Sequence, residues 1–499
     1  METSLLTPYI KEEEPGVLMT QVTMGELEAN IQHLRAGTSA GKDCIYNCML
    51  KNLSWDFLEI VLALINLTLK EGKIPESWKE SRITMIPKKQ PASDPNNYRP
   101  ISLISCFSKL VERIMAQRLA KYLEKNNILM SQQSGFRRKR RTTDNLVFHS
   151  QKVLEAFNKK SNVISLSFDI QAAFDAVWHD GLIFKMRKVG VPGYIVEWTR
   201  SFLCGRQFDV RVGEQTSEMS PIFTGVPQGS SLSPILFSIF INDIPVVAVP
   251  EEGYVTLYAD DLSVSFFFKN IRIKDESVSG RVQNYLGDIE KWLCKWRMRM
   301  APSKCNFTIF SKGNNNKNTF QFRLFGELIP HEKNPVSLGI MFDKSLNFKD
   351  HVKKLKSNCT QRLNIIKILS HKSWKLSTRT LISIYKALIG SVIGYSAFIC
   401  PRLDEKTTKS IQAIQNRAMR SIFHRPYDEH TEELCRLSGL PLVQQRMVAL
   451  NIKYFKNAKI GNPIILDLFR VYRREYPSGH RTGLKTLLCD HRDIFGSNL

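Results

Sequence analysis

Tyr258-Ala259-Asp260-Asp261 lies between two apolar runs, Tyr254 to Leu257 and Leu262 to Phe268. Valine, threonine, leucine and aromatic residues on both sides suit a pleated, half-buried surface. The stretch is therefore predicted as strand, tight turn, strand, with two carboxylates at the tip. Adjacent aspartates repel each other and are poor strand formers, so the arrangement calls for a compensating cation. Magnesium suits it, since it takes hard oxygen ligands and prefers a few carboxylates plus substrate phosphates. Alone, the pattern is weak, because Asp-Asp at a hairpin is usually a solvated turn.

Working outward, Ile164-Ser165-Leu166-Ser167-Phe168-Asp169-Ile170 alternates apolar and small polar residues and again delivers an aspartate at its end. A second buried strand of this kind brings a third carboxylate towards the same site. A helix-like stretch is predicted after it, with Ala172, Ala173, Phe174 and Val177. Gly225-Val226-Pro227-Gln228-Gly229-Ser230-Ser231-Leu232-Ser233-Pro234 reads as a loop opening an apolar helix, Ile235 to Ile241. Backbone amides at such a helix start are expected to face phosphate.

Taken in order, Phe168-Asp169-Ile170-Gln171-Ala172-Ala173-Phe174-Asp175, Pro227-Gln228-Gly229-Ser230 and Tyr258-Ala259-Asp260-Asp261 resemble motifs A, B and C of reverse transcriptases. The flanking blocks are similar to the non-LTR (LINE-type) retrotransposon branch, in its jockey and I-like part. Ile86-Pro87-Lys88-Lys89 with Asn97-Tyr98-Arg99-Pro100-Ile101-Ser102-Leu103 resembles the fingers motif of that branch. Gln133-Ser134-Gly135-Phe136-Arg137 with Thr142-Thr143-Asp144, Val177-Trp178-His179-Asp180-Gly181-Leu182 and Phe240-Ile241-Asn242-Asp243-Ile244-Pro245 add further matches. The resemblance runs from about residue 20 to 440 in unbroken order.

It implies an α+β fold, the right-hand polymerase with fingers, an antiparallel-sheet palm and a helical thumb. The expected organisation is an N-terminal tail over 1–23, fingers with part of the palm over 24–160, and a palm with motifs A to E over 161–348. A helical thumb over 349–460 and an unassigned basic tail over 461–499 complete it. Periodicity supports helices with Leu27, Ile31 and Leu34 on one stripe and Leu58, Val61, Leu62 and Ile65 on another. A helix over 109–124 is expected to turn Leu110, Ile114 and Leu119 inward and Arg113 and Arg118 outward. Phe307–Phe310 and Phe320–Leu324 are expected to form a hairpin across the Asn-rich stretch Gly313 to Asn318. Leu363, Ile366, Ile368 and Leu369, then Leu381, Ile384, Tyr385 and Leu388, read as helical cores.

The net charge of +24 and pI near 9.6 predict a polyanionic partner and binding that weakens with salt. No stretch reaches the roughly 20 apolar residues of a spanning helix, so no membrane is expected. The start lacks a basic-then-apolar signal pattern, and ten cysteines without framework spacing suit reduced intracellular thiols. An intracellular ribonucleoprotein, nuclear or cytoplasmic, is the expectation. Complete relatives begin with an endonuclease, which nothing before Met24 resembles, so a polymerase core is expected, either a fragment or a truncated copy.

The implied activity is RNA-directed DNA synthesis on a DNA primer from deoxynucleoside triphosphates. Two magnesium ions, with manganese as a substitute, roughly 3.5–4 Å apart clamp the attacking and leaving oxygens in such chemistry. By resemblance, Asp169 and Asp260 bridge the metals and Asp261 supports them. Phe174 falls at the family's steric gate, against core packing as the competing account. Gln228 and Gly229 belong near the incoming nucleotide, against a purely structural turn. Tyr258 shares the nucleotide-binding motif. Lys88 and Arg99 are candidates for gripping the triphosphate, arginine offering a bidentate fork. Lys304 matches the motif D lysine near the leaving pyrophosphate, with a capping role as the rival. Arg137, Arg138 and Lys139 suit template backbone better than a nuclear import signal, and Lys353, Lys354 and Lys356 lie on the expected basic thumb face. A second class, a decayed or domesticated copy that binds nucleic acid without chemistry, is opposed by the intact aspartates, Phe174 and Pro-Gln-Gly.

Overall fold

A computed structural model describes residues 21–88, 91, 93–247, 252–269, 276–313, 320–475 and 486–495. Most of the expected tail over 1–23 and the Asn-rich stretch 314–319 lie outside these residues. The strands that matter here are β1 (Glu80–Pro87), β2 (Tyr98–Leu103), β3 (Ser161–Phe168), β4 (Gln207–Val212), β5 (Gln215–Thr216), β6 (Ser220–Pro221), β7 (Gly253–Tyr258), β8 (Asp261–Lys269) and β9 (Asn306–Phe310). The chain divides into two compact units, each assembled from separated segments. The first comprises Met1–Arg137, Ile170–Pro245 and Asp288–Ala301; the second comprises Arg138–Asp169, Val246–Gly287 and Pro302–Leu499.

In the first unit the strand order is β2-β1-β4-β5, with β6 also on β4. β1 and β4 run parallel while β1 and β2 form an antiparallel pair. Helices Met24–Gln32, Trp55–Glu71 and Cys106–Lys125 bury Leu27, Ile31, Val61, Ile65, Leu110, Ile114 and Leu119, whereas Leu58 and Leu62 are only half-buried and Leu34, also half-buried, lies beyond the end of its helix. Arg118 departs from expectation. It is buried, and its guanidinium donates to Glu26, with Nε 2.8 Å from Oε1. A buried cation needs a hydrogen-bonded counter-charge, and Glu26 sits one helix away in the fold, invisible to periodicity. The stretch after Asp169 is a turn and not a helix: Asp175 and Ala176 N–H both donate to Ala172 O, and helix begins only at His179–Lys188. Ala172 has φ +46°, a left-handed conformation that no continuous right-handed helix contains.

The second unit carries an antiparallel sheet ordered β7-β8-β3-β9. Alternation in β3 puts Ile164, Leu166 and Phe168 on a buried apolar face. The other face pairs serines across strands, Ser165 with Ser265 and Ser167 with Ser263. β9 pairs with β3 and does not form the expected hairpin with Phe320–Leu324; Arg323–Leu324 pairs instead with Glu327–Leu328. Composition favoured strands there, but partner choice is a long-range matter. The helix Thr142–Asn158 and the C-terminal helices share one core that includes Phe310, Phe348, Leu363, Tyr385, Met419 and Phe455. Ile368 stands outside it, 60% exposed, because Leu363 and Ile366 already define the inward face. Residues 461–499, unassigned from sequence, supply the helix Pro463–Glu475, whose Ile465, Leu468, Phe469 and Tyr472 join the same core at helical spacing.

Candidate active site

The β7–β8 register pairs Leu257 with Leu262 and Tyr258 with Asp261, leaving Ala259 and Asp260 as a two-residue turn. Ala259 takes φ +57° there, a left-handed position that tight hairpins usually give to glycine. On the far side of β8, β3 pairs Phe168 with Leu262. One further step of that register sets Asp169 opposite Asp261. β9 flanks β3 on its other edge, pairing Ser167 with Asn306. The same continuation brings residue 304 beside Asp169, and Lys304 Nζ lies 3.8 Å from Asp169 Oδ2. Strand order thus lays out a row of aspartate, aspartate and lysine, with Asp260 at the turn.

Asp261 feels this crowding. Loss of surrounding water, then the charges of Asp260 and Asp169, push its carboxyl up to about 6 from 3.8. All three acidic side chains offer hard carboxylate oxygens, the donor set that magnesium or manganese takes, and their mutual repulsion is what a bound cation relieves. The residues fit the ion by chemistry; among the described residues, no trio of acidic, histidine or cysteine side chains forms a ready-made metal site. Tyr258 is half-buried beside them, and burial raises its phenol.

The first unit gathers the other expected nucleotide contacts. Lys88 N–H donates to Asn97 O at 2.7 Å, closing the end of the β1–β2 pair where Arg99 faces Ile86 in register. Both basic side chains are exposed. The Pro-Gln-Gly loop is fixed to β2, since Ser102 N–H donates to Gln228 O at 2.7 Å. Gly229 has φ +123°, and a Cβ there would meet Ser102 O at 2.7 Å. Only glycine permits both the conformation and the approach. Gln228 Nε2 donates to both carboxylate oxygens of Asp175. Burial raises the Asp175 carboxyl, against the opposing pull of Gln228 and Lys88.

Phe174 is half-buried, stacked on Phe237 with centroids 5.0 Å apart and edge-on to Phe136 at 6.0 Å. Its carbonyl accepts from Val226 N–H at 2.8 Å, which ties motifs A and B together within this unit. The expectation that the helix-start amides face phosphate is overturned at Ser231, Leu232 and Ser233. Ser231 N–H donates to Glu112 at 3.1 Å, while Leu232 and Ser233 N–H donate to Ser230 Oγ.

Several of these residues went unassigned from sequence. Glu112 is buried and accepts from Ser108, Ser230 and Ser231. His179 Nε2–H donates to Gly225 O at 2.7 Å. Asn242 joins both Ile128 O and Met130 N–H, and Asp243 accepts from Lys185 and from Trp292 Nε1 at 2.9 Å. Asp175, His179, Asn242 and Asp243 all stand within motif strings, which was the available signal. Glu112 had none.

Among the basic residues, Arg137 is engaged internally. Its Nε and Nη2 each lie 2.6 Å from Glu124 oxygens and Nη1 donates to Met130 O, leaving the side chain 7% exposed. Arg138 is exposed. Lys139 is also exposed, with Nζ donating to Ile460 O at 3.2 Å. Lys353, Lys354 and Lys356 project from the helix Lys349–Leu369, whose Val352, Leu355 and Cys359 are buried.

Residues 86–362 match the family described as "Reverse transcriptase (RNA-dependent DNA polymerase)". The chain belongs to this family. The chain is 31% identical over 87% of its length to the "Probable RNA-directed DNA polymerase from transposon BS" of Drosophila melanogaster, covering 48% of that protein. It is 29% identical over 89% of its length to the "RNA-directed DNA polymerase from mobile element jockey" of the same fly, again covering 48%. It thus spans about half the length of the curated relatives it matches, and its likeness is to the jockey-like, non-LTR branch. Among solved structures, an apo telomerase from Candida tropicalis is 15% identical, with a TM-score of 0.36 and 54% of each chain covered. The mixed helices and sheets are those of a right-hand polymerase fold, as the family implies. No helix among the described residues is long and apolar enough to cross a membrane.

Proposed function

We propose that this reverse transcriptase chain is an RNA-directed DNA polymerase core of a non-LTR retrotransposon, adding deoxynucleotides to a primer 3′-hydroxyl on an RNA template inside the cell. The observation that carries the reading is the register of β3, β8 and β9, which sets Asp169 between Asp261 and Lys304 with Asp260 at the adjoining turn. In this reading Asp169, Asp260 and Asp261 hold two magnesium ions, which when bound supply the positive charge that in-line displacement at phosphorus requires. Lys304 gives a proton towards the departing pyrophosphate. Lys88 and Arg99 grip the triphosphate, and Phe174, Gln228 and Gly229 shape the place of the nucleotide. Template and primer phosphates are met by Arg138, Lys139, Lys353, Lys354 and Lys356, whereas Arg137 acts as an internal clamp. In this reading the fingers with part of the palm span 24–160, the rest of the palm 161–348 and the thumb 349–460, with the helix Pro463–Glu475 extending the thumb.

The test is primer extension on an RNA template with deoxynucleotides and magnesium. Wild type is expected to extend the primer. Asp260→Ala is expected to lose extension by a factor of 100 or more, on the order of several kcal/mol of transition-state stabilisation, while keeping its melting temperature. Full activity in that variant overturns the assignment.

A further inference from the structure

Leaving the helix Glu276–Trp296, the chain alternates inward and outward: Met298 and Met300 are buried, while Arg297 and Arg299 stay exposed. The segment is fixed, since Gln171 N–H donates to Arg299 O at 2.9 Å and Ile170 forms a bridge with Met300. Together with Gln171, Trp178 and Thr224, the two arginines line a pocket of about 260 Å³ within the first unit, with Ala172 and Ala176 in its wall.

Two features distinguish this pocket from a solvated basic face. First, Arg297 is oriented. Its guanidinium lies over the Trp178 ring at 4.0 Å from the centroid, and Trp178 in turn presses on Gly181, where a Cβ would come within 2.6 Å of the indole. A planar guanidinium laid on an aromatic face keeps its edge donors pointing outward. Second, the two arginines converge on one pocket whose lining contains no acidic residue, and among the described residues no carboxylate pairs with either of them. The lining offers two guanidinium forks and the Gln171 amide, with no fixed negative side chain, while the Thr224 hydroxyl donates to Asp175 O at 3.2 Å. That is the chemistry of a phosphate receptor.

We propose that this pocket binds a phosphate-bearing anion through Arg297 and Arg299, with the Gln171 side-chain amide as a neutral hydrogen-bond donor. The phosphate can be that of a free polyphosphate or of a nucleic-acid backbone, and the site does not depend on the polymerase reading.

The experiment titrates the full chain, in the Asp260→Asn background and without divalent metal, with inorganic pyrophosphate and separately with a ten-nucleotide oligothymidylate. Arg299→Gln and the double variant Arg297→Gln/Arg299→Gln are compared with Lys121→Gln/Lys125→Gln, which removes the same charge from an exposed helix face of this unit. Arg299→Gln alone leaves the Arg297–Trp178 stack intact, so it reports binding even if the double variant misfolds. A fall of tenfold or more in pyrophosphate affinity in the arginine variants, absent from the lysine control, supports a free-polyphosphate site. The same selective fall for the oligonucleotide supports a backbone site. Equal effects of arginine and lysine variants on both probes, or no effect on either, overturn the proposal.

Discussion

The side-chain amide of Gln228 donates to both carboxylate oxygens of Asp175, at 3.0 and 2.9 Å. This forked contact fixes the rotamer of Gln228, while the β2 contact at Ser102 fixes its backbone. If Gln228 meets the incoming nucleotide, Asp175 acts on the reaction as a positioning residue. Asp175→Ala removes a charge-assisted pair worth about 1.5–3 kcal/mol. The expected result is a rise of roughly tenfold or more in KM for the nucleotide, with a smaller change in kcat. Asp175→Asn, which keeps one acceptor, should recover part of the loss. Unchanged KM in both variants would show that the pair is structural only.

Asp261 links stability to pH. Its folded carboxyl sits at about 6, above the ordinary 3.8, so the folded chain binds that proton more tightly than the unfolded chain does. Stability attributable to Asp261 is therefore lost as pH rises through the interval from about 4 to 6, and the cost is complete above it. Asp261→Asn should stabilise the metal-free protein by about 1 kcal/mol at pH 8, a figure reduced for solvent screening at an exposed side chain. The advantage should vanish as pH falls towards 4. Denaturant titrations from pH 5 to 8 measure it, and a difference independent of pH contradicts the electrostatic account. Added magnesium should stabilise the wild type more than the variant.

One substitution separates packing at Phe174 from the proposed sugar gate. It packs on Phe237 and Phe136, so Phe174→Val should cost about 1–2 kcal/mol of stability for a half-buried ring. If the ring also lies under the sugar, removing the clash should raise ribonucleotide use relative to deoxynucleotide. The ratio of kcat/KM for the two nucleotide types, read beside the melting temperature, distinguishes these. A lower melting temperature with unaltered sugar selectivity assigns Phe174 to packing alone.

Lys353, Lys354 and Lys356 face solvent from a helix whose other side is core. Replacing all three with glutamine should leave folding intact and weaken nucleic-acid binding alike for all sequences. Each lost phosphate contact flattens the log–log salt dependence by about 0.7–0.9, so the slope should become shallower by about 2 to 3. An unchanged slope places the nucleic-acid groove elsewhere.

The local features were legible in the sequence. Alternation in Ile164 to Phe168 and the apolar runs around Tyr258 to Asp261 specify strands and a turn, because side-chain period and turn chemistry are properties of a few adjacent residues. The aspartate positions followed from those strands, and the order of the motifs carried the family. What stood apart was everything set by pairing between distant segments. Register alone brings Lys304 beside Asp169, and β9 chose β3 over the segment that follows it in sequence. Arg118, read from sequence as outward-facing, and Arg137, read as a template contact, are instead paired with Glu26 and Glu124. Glu112, mid-helix among apolar neighbours, gave no hint that it holds Ser230 and Ser231. The sequence by itself determined which residues could do the chemistry, since charge, hardness and reactivity belong to the side chain. Only the tertiary structure decided which of them are available for it, because a buried polar group must find its partner across the fold, and that partner is chosen by packing over long sequence separations.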